Sequence, residues 1–285
     1  MGKVAVITDS VACLPQELID RYAIKVMPLS IIFEDRVYRD GVDITPGEFY
    51  RLLENVKKLP TTSPAPPAAY LEAYRELNDK ADAVLCVTIS SKFSALIDSA
   101  RLAREAARET MPQTDIEVLD SGTAAGAEGF VVLAAARAAA EGKSLAEVIE
   151  AAKDIMSRVN LIAIVDTLYY LQKSGRVPKA TAWATSLLQI KPIFQLSWGE
   201  VTPLGRPRTK NRAVNRMLEI VQERTNGGRI RANIMHGNAL EEAERLRERV
   251  LAEFDCVELF VTDFTPVMGS HVGPGVLGVA FYSDN

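Results

Sequence analysis

Residues Cys86–Ala100 read CVTISSKFSALIDSA, and this stretch constrains the fold more tightly than any other. Val84, Leu85, Cys86, Val87 and Ile89 are apolar and partly β-branched, as a strand buried in a parallel sheet requires. Ser90, Ser91 and Ser94 follow, at a turn and at the first positions of a predicted helix. Beyond them Leu96, Ala100, Ala103 and Ala107 recur at helical spacing, with Arg101, Arg104 and Arg108 on the opposite side. A strand that delivers hydroxyls to a helix N-terminus makes an anion site. The first helical amides lack partners, the helix dipole favours negative charge, and the hydroxyls add donors. A serine acting only as N-cap accounts for one hydroxyl. Three within Ser90–Ser94, at the carboxyl end of a strand, favour a ligand.

The flanking sequence repeats the strand–helix alternation. Lys3–Thr8 is a strand closed by Asp9-Ser10, and Pro15–Tyr22 a short helix. Lys25–Phe33 reads as one strand, with Pro28 placing it at an edge or a bulge. Thr45-Pro46-Gly47-Glu48 is a capping box opening a helix. Lys58–Pro67, rich in proline, reads as irregular, and a helix follows over Ala68–Lys80. Ile116–Leu119 is a strand closed by Asp120-Ser121. The alanine-rich helix after it has side chains small enough to pack close to a sheet or line a slot. Ser144–Glu147 is a second capping box. This order predicts an α/β fold whose N-terminal domain, residues 1–159, is a three-layer α/β/α unit with a parallel sheet.

After Asn160 the pattern changes. Leu161–Val165 is a strand, a helix is predicted near Ala180–Gln189, and Lys191–Trp198 and Glu200–Arg206 form a hairpin around Ser197-Trp198-Gly199. A basic helix over Asn211–Arg224, a strand at Arg229–His236, a helix opened by an Asn238–Glu241 cap, and strands at Val257–Asp263 and Val279–Tyr282 complete the chain. Residues 160–285 therefore read as a C-terminal two-layer α/β domain with a mixed sheet.

Several function classes fall away. A formal net charge of −4 gives no footprint for nucleic acid. No apolar run reaches the roughly 20 residues that span a bilayer, and the N-terminus has no signal-peptide pattern, so a cytoplasmic protein is expected. Cys13, Cys86 and Cys256 are scattered, and with only two histidines no metal-ligand spacing exists. Gly273–Gly278 matches G-x-G-x-x-G formally, but it lies before the final strand instead of opening a helix, so a dinucleotide site is rejected. No P-loop or G-x-S-x-G elbow is present. Asp9 and Asp120 read as turn caps, and His236 as a turn residue. His271, next to Gly273, Pro274 and Gly275, is read as held on a rigid loop and is a ligand candidate. Arg206, Arg208, Lys210, Arg212 and Arg216 form a basic cluster, readable as a solvated face or as a docking patch.

Taken in order, VITDS at Val6–Ser10, PTTS at Pro60–Ser63, SSKFS at Ser90–Ser94, the Asp120-Ser121 turn and DTLYYLQKSGRV at Asp166–Val177 resemble the DegV family of bacterial fatty-acid-binding proteins. LLQIKPI at Leu187–Ile193, RTK at Arg208–Lys210, HGNALEEAE at His236–Glu244 and HVGPGVLGVAF at His271–Phe281 extend the resemblance over nearly the whole chain. The chain departs from the family in having Ala95 and Leu96 where Gly-Thr often follows the serine turn. The resemblance implies a long-chain fatty acid as ligand and no cofactor. Its carboxylate would be held by Thr62, Ser63, Ser91, Ser94 and His271. It further implies a non-enzymatic carrier that presents the lipid to a separate ATP-dependent fatty acid kinase; the basic residues then make Arg176 and Arg208 candidates for a docking or phosphate-facing surface. Ala134–Ala140, Ile31–Phe33 and Trp183–Leu188 are candidate tunnel linings.

Two other readings compete. One is a dihydroxyacetone-kinase-like subunit that binds a small ketone through histidine. The other is an acyl hydrolase in which Ser91 or Ser94 works with His271.

Overall fold

A computed structural model describes residues 2–56, 58–180 and 190–284. Strands β1 (Val4–Asp9), β2 (Lys25–Met27), β6 (Ala83–Thr88) and β7 (Asp115–Asp120) form a parallel sheet in the order β2-β1-β6-β7. Every residue of β6 is buried, as expected for a central strand covered on both faces. Its alternation divides two cores. Val84 and Cys86 pack with Tyr70 and Tyr74 of α3 (Pro67–Asn78) and Leu96 and Ala100 of α4 (Leu96–Thr110). Leu85 and Val87 pack with Phe130 and Val131 of α5 (Ala125–Ala140) and Val148 and Ala152 of α6 (Leu145–Arg158). Both predicted capping boxes form, at Thr45 for α2 (Pro46–Leu53) and at Ser144 for α6. The predicted first helix is α1 (Gln16–Arg21).

Strands β8 (Asn160–Ile164), β9 (Ile193–Ser197), β10 (Glu200–Gly205), β11 (Ile230–His236), β12 (Cys256–Asp263) and β13 (Leu277–Ser283) form a mixed sheet. Its order is β10-β9-β8-β13-β11-β12, antiparallel except between β11 and β12. The β9–β10 hairpin turns at Trp198 and Gly199, both with positive φ, as a two-residue I′ turn requires. Ile162, Ile164 and Ile193 face α8 (Lys210–Thr225) and α9 (Leu240–Glu253). Helix α7 (Tyr169–Ser174) follows β8, and α10 (Pro266–Val272) precedes β13.

Helix α5 contacts strands of both large sheets and is buried on nearly all sides, so it needs no polar face. Its glycine explains the close approach: a Cβ at Gly129 would lie 2.5 Å from the Ala12 carbonyl oxygen.

Five sequence expectations are corrected. His271, read onto a loop, lies in helix α10, because Pro266 opens a helix that runs to Val272 and Gly273 ends it. Lys25–Phe33 is not one strand. Pro28 has no N–H to donate, so β2 stops and β3 (Ser30–Phe33) enters a separate antiparallel sheet with β4 (Arg36–Arg39) and β5 (Thr61–Ser63). The proline-rich Lys58–Pro67 segment is not wholly irregular, since Thr61–Ser63 supplies β5, with Thr62 opposite Ile31. Helix α4 begins at Leu96 with Ala95 as an N-cap lacking a side-chain cap, so the serines stay in the turn. Asn238 does not cap α9: its φ of 52° is left-handed, and Ala239 holds the cap position. The helix predicted near Ala180–Gln189, and the lining candidate Trp183–Leu188, lie outside the described residues.

Candidate functional site

A cavity of about 260 Å³ lies between the two large sheets. The loops after all four parallel strands reach it: Val11 after β1, Leu29 after β2, Ile89, Phe93, Ser94 and Ala95 after β6, and Ala124 after β7. This is the carboxyl end of a parallel sheet, where α/β folds place their ligands. The mixed sheet instead presents a face. Leu161, Ala163 and Val165 alternate along β8 and just past its end, with Phe194 and Leu196 on β9 and Val201 on β10. Register sets Leu161 opposite Leu196 and Leu196 opposite Val201, a continuous apolar row across three strands.

The polar part of the wall is small. Thr62, Ser63, Ser94, Ser174, Gln195, Arg176 and His271 contribute to it, and among the described residues lining the cavity Arg176 alone carries a permanent charge. Thr62 Oγ1 and His271 Nε2 share a hydrogen bond of 3.1 Å, joining β5 to α10. His271 Nδ1 is buried and has no hydrogen-bond partner. Burial, and secondarily the charge of Arg176, lower the His271 pKa to about 4, so the ring is neutral at pH 7. With its pKa lowered to about 4 and its Nε2 engaged by Thr62, His271 is a weak general base, and among the described residues no serine is hydrogen-bonded to it.

The structure thus brings Thr62, Ser63, Ser94 and His271 to one cavity, with Arg176 in its wall. Ser91 is not there. It is exposed, and its backbone amide donates to the Asp120 carboxylate at 3.2 Å. Arg208 is exposed and outside the cavity wall. Of its neighbours, Lys210 is drawn inward to Asp166 at 2.9 Å and Glu242 at 3.1 Å, and Arg216 pairs with Glu219 and Glu223. Ala134–Ala140 and Ile31–Phe33 do not line the cavity; they fill the space around α5 and the small sheet. The lining that sequence reasoning missed is the inward face of β8 and β9, whose signal was the period-two pattern itself. No cluster able to hold a metal ion is present among the described residues, and no described helix is long and apolar enough to cross a membrane.

A family model described as "Uncharacterised protein, DegV family" matches residues 3–284. The chain belongs to the DegV family. A DegV domain-containing protein of Clostridium acetobutylicum is 36% identical over 285 residues, covering 99% of this chain and 98% of that protein. Among solved structures, the fatty-acid-binding DegV family protein of Thermus thermophilus superposes with a TM-score of 0.92 at 32% identity, covering 99% of each chain. A stearic acid-binding protein of Eubacterium ventriosum superposes with a TM-score of 0.89 at 25% identity, covering 98% of each chain. The DegV architecture accounts for the pairing of a parallel four-stranded sheet with a mixed six-stranded one.

Proposed function

We propose that this DegV protein binds one long-chain fatty acid, with its carboxylate at Thr62, Ser63, Ser94 and His271 and its acyl chain along the inward face of β8 and β9. The observation that carries this reading is the polarity of the cavity: a few neutral donors and one cation, with an otherwise apolar wall. A carboxylate leaving water needs several donors, because a buried unpaired charge is very costly. Each buried CH₂ contributes about 0.8 kcal/mol, so a long tail supplies most of the affinity. Fatty acid binding by the Thermus and Eubacterium relatives supports the same ligand class.

The protein then acts as a cytoplasmic carrier, not an enzyme, and presents the carboxylate to a separate ATP-dependent fatty acid kinase that forms the acyl phosphate. Arg176, in the cavity wall, faces the headgroup, and exposed Arg208 contributes to the docking surface. Mass spectrometry of an organic extract, beside the native mass of the intact protein, tests the ligand. A fatty acid at one per chain is expected; absence of lipid together with failure to bind added palmitate or oleate overturns the reading. Arg208→Ala separates carrying from presentation. It leaves palmitate affinity unchanged and slows acyl-phosphate formation by the kinase, and an unchanged rate removes Arg208 from the docking surface.

A further inference from the structure

Two Asp-Ser motifs close strands in this chain, and neither touches the cavity. Their carboxylates converge on the same turn from opposite sides. In the sheet order, β1 and β7 are the two neighbours of β6, whose carboxyl end carries Ser90–Ser94. Asp9, ending β1, accepts the Ile89 amide at 2.8 Å and the Val11 amide at 3.0 Å. Ile89 and Val11 both line the cavity, so one carboxylate just behind the wall ties two wall residues together. Asp120, ending β7, accepts the Ser91 amide at 3.2 Å and the Gly122 amide at 2.9 Å. Between these two holds, the Ser90 amide donates to the Thr123 carbonyl at 2.9 Å, and the Ser94 amide donates to the Ser90 carbonyl at 3.3 Å. Ser94 therefore faces the cavity from a turn whose backbone is fixed at Ile89, Ser90 and Ser91. No side chain caps α4 to fix it from the other direction.

Keeping Asp9 at this position is costly. It is 1% exposed, and burial raises its pKa to about 6. The acid beside it, Glu128, is wholly buried on α5, and burial together with the charge of Asp9 raises its pKa well above the ordinary range. A plain turn cap does not require a buried acid with a second acid against it.

We propose that Asp9 and Asp120 are positioning residues for headgroup recognition: without touching the ligand, they clamp the Ser90–Ser94 turn from both sides and set the direction of the Ser94 hydroxyl. This rests on the fatty-acid reading of the cavity. Asp9→Asn turns an amide donor toward one of two backbone N–H groups and so releases Ile89 or Val11. Asp120→Ala releases Ser91 and Gly122, whose amides then turn to water.

The test compares palmitate with hexadecanol, measured by displacement of bound 1-anilinonaphthalene-8-sulfonate. The two ligands share a tail and differ only in headgroup, so a change that merely loosened the cavity would weaken both. Wild-type protein prefers palmitate. Each variant lowers that preference about tenfold, the size of one misplaced charge-assisted hydrogen bond, and leaves hexadecanol affinity unchanged. In a Ser94→Ala background, Asp120→Ala causes no further loss, because both act through one hydroxyl. Variants that keep the wild-type preference, or lose both ligands equally, overturn the clamp while leaving the fatty-acid reading in place. Wild-type protein that binds neither ligand, or shows no preference for the acid, overturns that reading itself. Should Asp9→Asn fail to fold by circular dichroism, Asp120→Ala decides alone, since its site is a half-buried loop entrance.

Discussion

The two large sheets meet the cavity in different ways. The parallel sheet comes end-on, offering loop residues that follow its strands, including Ser94. The mixed sheet comes face-on, offering alternate side chains of Leu161, Ala163, Phe194 and Leu196. Strand ends free backbone and short polar side chains to address a headgroup, whereas a pleated face offers a smooth apolar surface to a tail. Two groups of acids near the sheets differ in their partners. Near the end of β1, burial raises the carboxyls of Asp9, of Asp40, which follows β4 and accepts the Ser10 hydroxyl at 2.7 Å, and of Glu128 on α5. At the edge of the mixed sheet, Glu258 lies between Arg137 and Arg231, and Asp284 pairs with Arg231 at 2.7 Å, whose hydrogen bond lowers the Asp284 pKa.

The strongest way to break this division is to block the face. Ala163→Trp places a large ring on the tail surface. Excluding about four methylenes costs roughly 3 kcal/mol, near two orders of magnitude in palmitate affinity. The melting temperature should stay close to wild type, because the ring enters an existing cavity. Palmitate affinity within threefold of wild type would show that the chain does not run along β8.

Removing the headgroup partner is the next largest effect. His271→Leu, which has no side-chain donor, should weaken palmitate about tenfold and hexadecanol little, since a neutral donor to a carboxylate is worth about 1.5 kcal/mol or more. Equal weakening of both ligands would move His271 from headgroup recognition to general packing.

The buried acids near the end of β1 give a pH test. Asp9 titrates near 6 and Asp40 near 7 when folded, both above the ordinary value of 3.8, so the folded chain holds extra protons in that window. Their contribution is full at low pH and is lost as pH rises through 6 to 7. His271 acts oppositely: its folded pKa of about 4 lies below 6.5, so its contribution is lost as pH falls through 4. The acids outnumber it, and the melting temperature should be about 5 °C higher at pH 5 than at pH 8. Asp40→Asn should flatten that difference, and calorimetry across this range shows whether it does. The smallest effect belongs to Ser91→Ala, which should leave palmitate affinity within twofold, because that side chain is exposed and outside the wall.

Much of the site was legible because its pieces are local. The buried strand Ala83–Thr88, the capping boxes at Thr45 and Ser144, and the hairpin at Trp198-Gly199 depend on residues within a few positions of one another. The serine turn and the identity of His271 as a ligand candidate were visible for the same reason, although the helix that carries His271 was not. Ser91 was misplaced because a turn's sequence does not say which of its hydroxyls points inward. The structure alone puts Ser94 in the cavity wall and leaves Ser91 exposed, with its amide held by Asp120, 29 residues away. The cavity lining on β8 and β9 was missed because they read as ordinary strands, and only the packing of β8 against α5 and the opposing sheet ends shows which face borders a space.

The sequence by itself determined where most of the long strands and helices fall, which residue types could hold an anion, and the family resemblance carried by the ordered motifs. Tertiary structure alone decided that Pro28 splits one apolar run between two sheets, that Thr61–Ser63 joins the smaller of them, and that Thr62 meets His271 across 209 positions. Secondary structure follows from short-range sterics and hydrogen bonding. A binding site is the meeting of segments distant in sequence, and their relative placement is set by the packing of whole sheets and helices.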